Sequence, residues 1–226
     1  MKKTLVWMLT VIMALLLTAC SSGGNGGQEA SVQTGTVQDA SGQDSAAETA
    51  NGGKTLLVYF SPANSDDADT VSSATPRVDG VSSVEYLAQM IHESAESDLA
   101  PIVPKEAYPV EYEDTAERAE QEADDDARPE FTLEVNPEEY DVIFVGYPIW
   151  HYQMPMVMQT FFDTYDFSGK TIVPFNTHLG SRDGGTYEDI AALEPEATVL
   201  EGLAVSGEEV QDAEETVTDW LADLGY

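Results

Sequence analysis

Three ring-bearing residues follow one another in the segment DVIFVGYPIWHYQMP. Trp150, His151 and Tyr152 lie between Pro148 and Pro155, two residues that fix the backbone angle φ and stiffen the segment. Their aromatic faces suit a planar ligand, and the imidazole and the phenol could also exchange protons. A lone Trp would more simply fill a core. Three rings in a row between two prolines favour a ligand-binding loop.

A second polar loop, NTHLGSRDGG at 176–185, carries another histidine, His178. His151, Tyr152 and His178 are therefore the candidates for proton transfer. The chain contains no G-x-S-x-G nucleophile elbow, which argues against a serine hydrolase. It also lacks the ligand spacings of zinc or calcium sites, so no metal is predicted.

The elements that position these loops alternate between strand and helix. Short apolar runs rich in β-branched and aromatic residues predict strands at 55–60, 98–103, 141–145, 171–175 and 198–203. Helical periodicity predicts helices at 82–95, 112–126, 156–165, 186–193 and 208–224. Ser82 with Glu85 forms a capping box, Pro101 indicates an edge strand, and Gly146 is expected to turn the chain out of the sheet.

This alternation predicts an α/β domain. We expect a doubly wound, five-stranded parallel sheet of order 2-1-3-4-5, with helices on both faces. In that order, the loops 61–80, 146–155 and 176–185 lie beside one another at the switch point, where ligands bind.

The first part of the chain is predicted to be a targeting signal followed by a tether. Residues 1–20 combine Lys2 and Lys3 with an apolar run and end in LTAC, which resembles a bacterial lipobox. Cys20 is the chain's one cysteine and is expected to carry the lipid. Residues 21–53 are rich in Gly, Ser, Gln and Ala, and they predict a disordered tether. Residues 54–226 suffice for one domain.

The charge is strongly negative: 42 acidic residues against 9 basic ones give a formal net charge of −33. Such a field argues against nucleic acid and anionic lipid headgroups as partners. Membrane attachment is therefore expected through the lipid alone, with the domain on the extracytoplasmic side.

Several segments resemble the flavodoxin superfamily. They are VYFS at 58–61, YDVIFVGYPIW at 140–150, SGKT at 168–171 and FNTHLGS at 175–181. The resemblance covers about 54–226 and implies FMN in the crevice. It also implies cofactor-binding residues: Ser61 at the start of the phosphate loop, and Pro148, Ile149, Trp150, His151, Thr177, His178, Gly180 and Ser181 at the flavin ring. Hydroxyls and amides near Asn64 and Ser65 could hold the phosphate.

The phosphate loop departs from the family pattern. A compact Thr-Gly-Asn-Thr turn is expected after VYFS, but this chain has Pro62 and Ala63, and then Asp66, Asp67 and Asp69 soon after. The loop is either a remodelled phosphate site or substrate lid, or a solvated insertion.

Function then has three alternatives: a membrane-tethered electron-transfer flavoprotein with an unidentified redox partner, an FMN-dependent NAD(P)H:quinone-type reductase, or a binding module that has lost FMN.

Overall fold

A computed structural model describes residues 53–62 and 77–226. The predictions for the leader at 1–20, for lipidated Cys20, and for Asn64 and Ser65 lie outside the described residues, as does nearly all of the tether. Within the described residues, no helix is long and apolar enough to cross a bilayer.

The residues that the model describes form nine strands. They are β1 (Thr55–Phe60), β2 (Arg77–Val78), β3 (Val81–Ser82), β4 (Asp98–Pro104), β5 (Phe131–Thr132), β6 (Val142–Pro148), β7 (Thr171–His178), β8 (Thr198–Val199) and β9 (Leu203–Ser206).

Within 53–62 and 77–226, five α-helices alternate with the main strands. They are α1 (Ser83–Ala95), α2 (Tyr112–Asp124), α3 (Met156–Thr164), α4 (Thr186–Leu193) and α5 (Glu214–Leu224). The last helix is shorter than the predicted 208–224, because Val210–Asp212 forms a separate 3₁₀ turn ahead of it. The predicted cap of α1 is confirmed, since the Glu85 N–H donates to Ser82 Oγ at 3.1 Å.

The main sheet has seven strands, in the order β5-β4-β1-β6-β7-β8, and β9 also pairs with β7. Strands β4, β1, β6 and β7 and the split last strand are parallel, and their sequence follows 2-1-3-4-5. Two features were not predicted. The short β5 adds an antiparallel strand beyond β4, so the strand containing Pro101 is not the outermost one. The prediction of a single strand at 198–203 is also wrong, because this part of the chain forms the two separate strands β8 and β9.

Pro174 explains the split of the last strand. The carbonyls of Lys170 and Ile172 accept hydrogen bonds from Thr198 and Leu200, so alternate residues of β7 face β8. Pro174, two residues further on, faces the same neighbour and has no N–H to donate. Pairing resumes with β9, opposite Phe175.

The two central strands are longer than predicted. Gly146 does not turn out of the sheet but pairs with Phe175 inside it. A Cβ at Gly146 would collide with the Phe175 ring, so glycine is needed there for packing. Likewise β7 continues to His178, so that Asn176 and Thr177 belong to a strand and not to the predicted loop.

Both faces of the sheet are covered, as predicted. Helices α1 and α5 pack on one face, with Leu87, Val217 and Trp220 in that core. Helices α2, α3 and α4 cover the other face, where Phe161 and Ile190 are fully buried. This two-sided burial explains why the central strands are nearly continuous apolar runs.

Candidate functional site

The candidate site lies at the carboxyl edge of the sheet, where β1, β6 and β7 end side by side. Three segments leave the sheet there: the chain after Phe60, the segment 149–155, and the loop 179–185. Their proximity confirms the predicted switch point for the described residues. The first segment is described only as far as Pro62.

The segment after β6 makes a tight two-residue turn. Trp150 and Gln153 exchange backbone hydrogen bonds of 2.9 Å in each direction. Between them, His151 and Tyr152 have φ values of +48° and +64°. This left-handed backbone normally favours Gly or Asn, so the turn holds two bulky side chains in a costly conformation. Tyr152 is 76% exposed, and the His151 ring contacts the Ala116 carbonyl at 3.3 Å.

Trp150 is not part of an exposed wall. It is 6% exposed and packs edge-on against Phe60 and Tyr108, with ring centroids 5.5 Å and 5.1 Å away. Tyr108 is held in turn by a hydrogen bond to Glu122 and by the Arg118 guanidinium, which stacks 4.1 Å from its ring. The expectation of a three-ring wall is therefore corrected: Trp150 supports the turn from the core, and the accessible rings are His151 and Tyr152.

The segment after β7 begins with His178, whose Nδ1 accepts a 3.0 Å hydrogen bond from the Gly180 N–H. Partial burial and then the nearby Arg182 guanidinium lower the pKa of His178. The ring is therefore neutral at neutral pH and carries its proton on Nε2. Gly180 has φ +103°, which explains a glycine at this position. Ser181, next in the loop, is half-buried.

Loop 179–185 and the turn at 149–153 contact each other directly. The Ile149 N–H donates to the Thr177 carbonyl at 2.9 Å, just after Pro148 pairs with Thr177. A Cβ at Gly184 would lie 2.8 Å from the Tyr152 carbonyl oxygen, so the two backbones approach closely. The two segments therefore form one continuous wall.

A buried hydrogen-bond network beneath this wall was missed by sequence reasoning. Asn176 is fully buried; its Nδ2 donates to the Arg182 carbonyl at 3.0 Å, and its Oδ1 accepts from the Tyr187 hydroxyl. Beside it, the Tyr147 hydroxyl and Thr186 Oγ1 are 2.9 Å apart. The signal available was a polar Asn in an apolar strand run, but its partners are distant in sequence.

At the other end of the site, Ser61 follows β1 and its hydroxyl lies 2.6 Å from that of Ser82. Ser82 is the N-cap of α1, so the junction brings two hydroxyls to the positive end of a helix. Glu85, in the first turn, interacts with Tyr59. Burial and then this carboxylate raise the pKa of Tyr59 to about 12.

The site has no metal centre among the described residues, where no cluster of three His, Cys, Asp or Glu side chains could hold an ion. The arrangement instead combines hydroxyls at a helix N-terminus with an adjoining wall of aromatic and backbone groups.

An open parallel sheet of this order, with its crevice at the switch point, defines a flavodoxin-like α/β protein. The chain belongs to the Flavodoxin family, whose model matches residues 77–224. No curated protein sequence matches the chain significantly.

Solved structures share the fold. A protein from Bacteroides uniformis, assigned as a flavoprotein, has 27% identity and a TM-score of 0.60, over 76% of this chain and 99% of that one. A second, from Bacteroides eggerthii, has 24% identity and a TM-score of 0.55, over 74% and 99%. A flavoprotein from Lactobacillus acidophilus, solved in complex with FMN, has 19% identity and a TM-score of 0.50, over 71% and 98%.

Proposed function

We propose that the protein binds FMN at the carboxyl edge of its sheet and transfers electrons. Membership of the Flavodoxin family supports this proposal, as does the FMN bound to the Lactobacillus acidophilus structure. The observation that carries it furthest is that Ser61 and the N-terminus of α1 meet beside the wall formed by 149–153 and 179–185.

The phosphate end of the site fits a phosphate group. Half-buried Ser61 supplies a hydroxyl, and the N-terminus of α1 adds backbone dipoles that favour negative charge. Ser82 is fully buried and positions the Ser61 hydroxyl from beneath, while its own oxygen caps α1. The carboxylate of Glu85 is engaged with the Tyr59 hydroxyl, which itself remains protonated at neutral pH. Ser61 is therefore the residue that we propose to contact the phosphate.

The ring end of the site fits the edge of a flavin. Among the described residues, none accepts a hydrogen bond from the backbone N–H of Ser181, so this group can donate to a ligand carbonyl. Tyr152 and Leu179 are 76% and 44% exposed and offer apolar surface to a planar ring. A planar cofactor needs this combination of apolar faces and a few fixed polar groups.

Bound FMN would supply reversible uptake of one or two electrons. The protein would hold it through Ser61 and the N-terminus of α1 at the phosphate and through the Ser181 N–H at the ring. Because Asn176 holds loop 179–185 from beneath, the Ser181 donor is fixed before the ligand arrives.

An electron carrier is favoured over a reductase by the state of His178. A reductase of quinones needs a proton donor beside the ring, but the lowered pKa of His178 and its bond from Gly180 favour the neutral imidazole. His151 and Tyr152 remain as donors in the alternative. They lie on the exposed turn.

The test uses the purified full-length protein reconstituted with FMN. The proposal expects a yellow complex with one FMN per chain that oxidises NAD(P)H slowly, whether or not a quinone is added. Rapid quinone-dependent NAD(P)H oxidation would instead establish the reductase. Failure to take up FMN would refute both and leave the binding module.

We further propose that a lipid on Cys20 attaches the protein to the outer face of the cell membrane, where it meets its redox partner. The LTAC sequence and the polar stretch that follows support this. Cys20→Ser should move the protein from the membrane fraction to the soluble fraction and abolish labelling by radioactive palmitate. A C20S protein that stays in the membrane would contradict the proposal.

A further inference from the structure

Arg182 differs from the other cations whose side chains the structure describes. Lys105, Arg118 and Arg128 each form an ion pair with a carboxylate. Lys170 donates to two backbone carbonyls, and Lys54 lies 4.0 Å above the Tyr140 ring. In contrast, the guanidinium of Arg182 has no ion pair or hydrogen bond within the described part of the chain.

The structure of the loop explains why the Arg182 guanidinium lacks a partner among the described residues. Arg182 has φ +56°, and its carbonyl is held by fully buried Asn176. The adjacent Asp183 would be the obvious partner, but its carboxylate accepts from the Gly185 N–H and its carbonyl from Thr186 Oγ1. The fold therefore anchors the backbone of Arg182 beside the candidate site and leaves its guanidinium exposed.

A second donor, His178, lies four residues earlier in the same segment. Because His178 Nδ1 accepts from Gly180, the neutral ring carries its proton on Nε2. The guanidinium is near enough to affect His178 electrostatically, as are the carboxylates of Asp183 and Glu209. Neither carboxylate lies within ion-pairing distance of Arg182, so the guanidinium keeps its capacity for an external oxygen.

We propose that Arg182 binds an oxyanion on the small molecule that exchanges electrons at this site, with His178 Nε2–H as the second donor. A guanidinium suits a carboxylate, phosphate or sulfonate because its fork of N–H groups matches their oxygens. The acidic composition of the chain repels anions, so an exposed cation without a carboxylate partner favours the approach of an anionic molecule at its own position. This inference rests on the proposed function.

The test compares two oxidants that differ in charge. The full-length protein, loaded with FMN and chemically reduced without oxygen, is mixed with neutral 1,4-naphthoquinone or with its 2-sulfonate. Each quinone accepts two electrons and two protons and becomes the hydroquinone, while the reduced FMN gives up two electrons and two protons. The variant is Arg182→Gln. Lys54→Gln is the matched control, since it removes one charge at the opposite edge of the sheet.

We expect R182Q to lower the rate constant for the sulfonate about five-fold at low ionic strength, and to leave that for the neutral quinone within about two-fold. High salt should shrink the difference, and K54Q should change neither rate constant. An equal effect of R182Q on both quinones, or none on either, would overturn the proposal. So would weakened FMN binding by R182Q, because Arg182 would then serve the cofactor.

A second measurement needs no flavin. The ¹⁵N-labelled protein is titrated with inorganic phosphate, with the amide signals of 179–185 as the readout. Saturable shifts that disappear in R182Q and persist in K54Q would support the anion site even if the protein takes up no FMN. Their absence in the unmodified protein would overturn the inference independently of the proposed function.

Discussion

Asn176 allows the sharpest test of how the site is held together. Its carboxamide is fully buried and uses both ends, donating to the Arg182 carbonyl and accepting from the Tyr187 hydroxyl. Asn176→Ala removes both bonds without adding bulk. We expect it to destabilise the whole domain and to loosen loop 179–185 in particular.

The magnitude follows from what each partner loses. The Tyr187 hydroxyl is left in a buried place without its acceptor, which costs about 1–3 kcal/mol. The Arg182 carbonyl is on an exposed loop and can turn to water, so its lost bond costs only about 1 kcal/mol. The free energy of unfolding should therefore fall by about 2–4 kcal/mol, a large share of the stability of a typical domain.

Urea unfolding measures this change, and a double-mutant cycle isolates the pair. Tyr187→Phe alone strands the Asn176 oxygen, whereas N176A with Y187F leaves neither partner unsatisfied. The double variant should therefore lose about 1–2 kcal/mol less than the sum of the single losses. Hydrogen exchange should accelerate more in 179–185 than in α5, where it follows only the global loss of stability. A loss below about 0.5 kcal/mol for N176A, or strict additivity with Y187F, would refute the assigned network.

Three further predictions test other parts of the structure. Gly146→Ala should lower the free energy of unfolding by about 1–3 kcal/mol, because the new methyl displaces the Phe175 ring; an unchanged urea midpoint would contradict this packing. Tyr152→Ala should weaken FMN binding several-fold in a fluorescence titration and leave thermal stability unchanged. In contrast, Trp150→Ala should lower the free energy of unfolding by about 3–5 kcal/mol. The reverse pattern would contradict the assignment of Tyr152 to the exposed turn and Trp150 to the core. Burial, and then two nearby aspartates, raise the pKa of Glu194 to about 7, so ionising this carboxyl opposes folding as the pH rises from about 4.5 to 7. Glu194→Gln should therefore raise the melting temperature at pH 8 but not at pH 4. An equal shift of the melting temperature at both pH values would contradict the raised pKa.

The sequence predicted the sheet well because its signals are local. The apolar runs at 55–60 and 171–175 could be buried only as strands between two layers of helices, and the alternation of elements implied the parallel order. Strand ends were less predictable. Asn176 and Thr177 are polar residues of the kind found in loops, and they continue β7 because they pair with β6 and β9 and receive hydrogen bonds from the distant Tyr187 and Ile149.

The candidate site was predicted in position but not in detail. The aromatic segment indicated a ligand-binding loop, yet Trp150 packs against Phe60 and Tyr108, contacts that no local pattern reveals. Gly146 suggested a turn, since a glycine needed for a turn and one needed for close packing look alike in a single sequence. No sequence pattern distinguished Arg182 from the other cations. It stands out only because the fold provides partners for the other described cations and none for its guanidinium.

The central claim is that this crevice holds FMN by its phosphate as well as by its ring. The most direct measurement titrates the purified full-length protein with FMN and, separately, with riboflavin, which lacks the phosphate. Because Ser61, Ser82 and the N-terminus of α1 meet at one end of the site, FMN should bind at least about ten-fold more tightly, roughly 1.4 kcal/mol. Equal affinities would contradict the phosphate site, and no binding of either molecule would contradict the account as a whole.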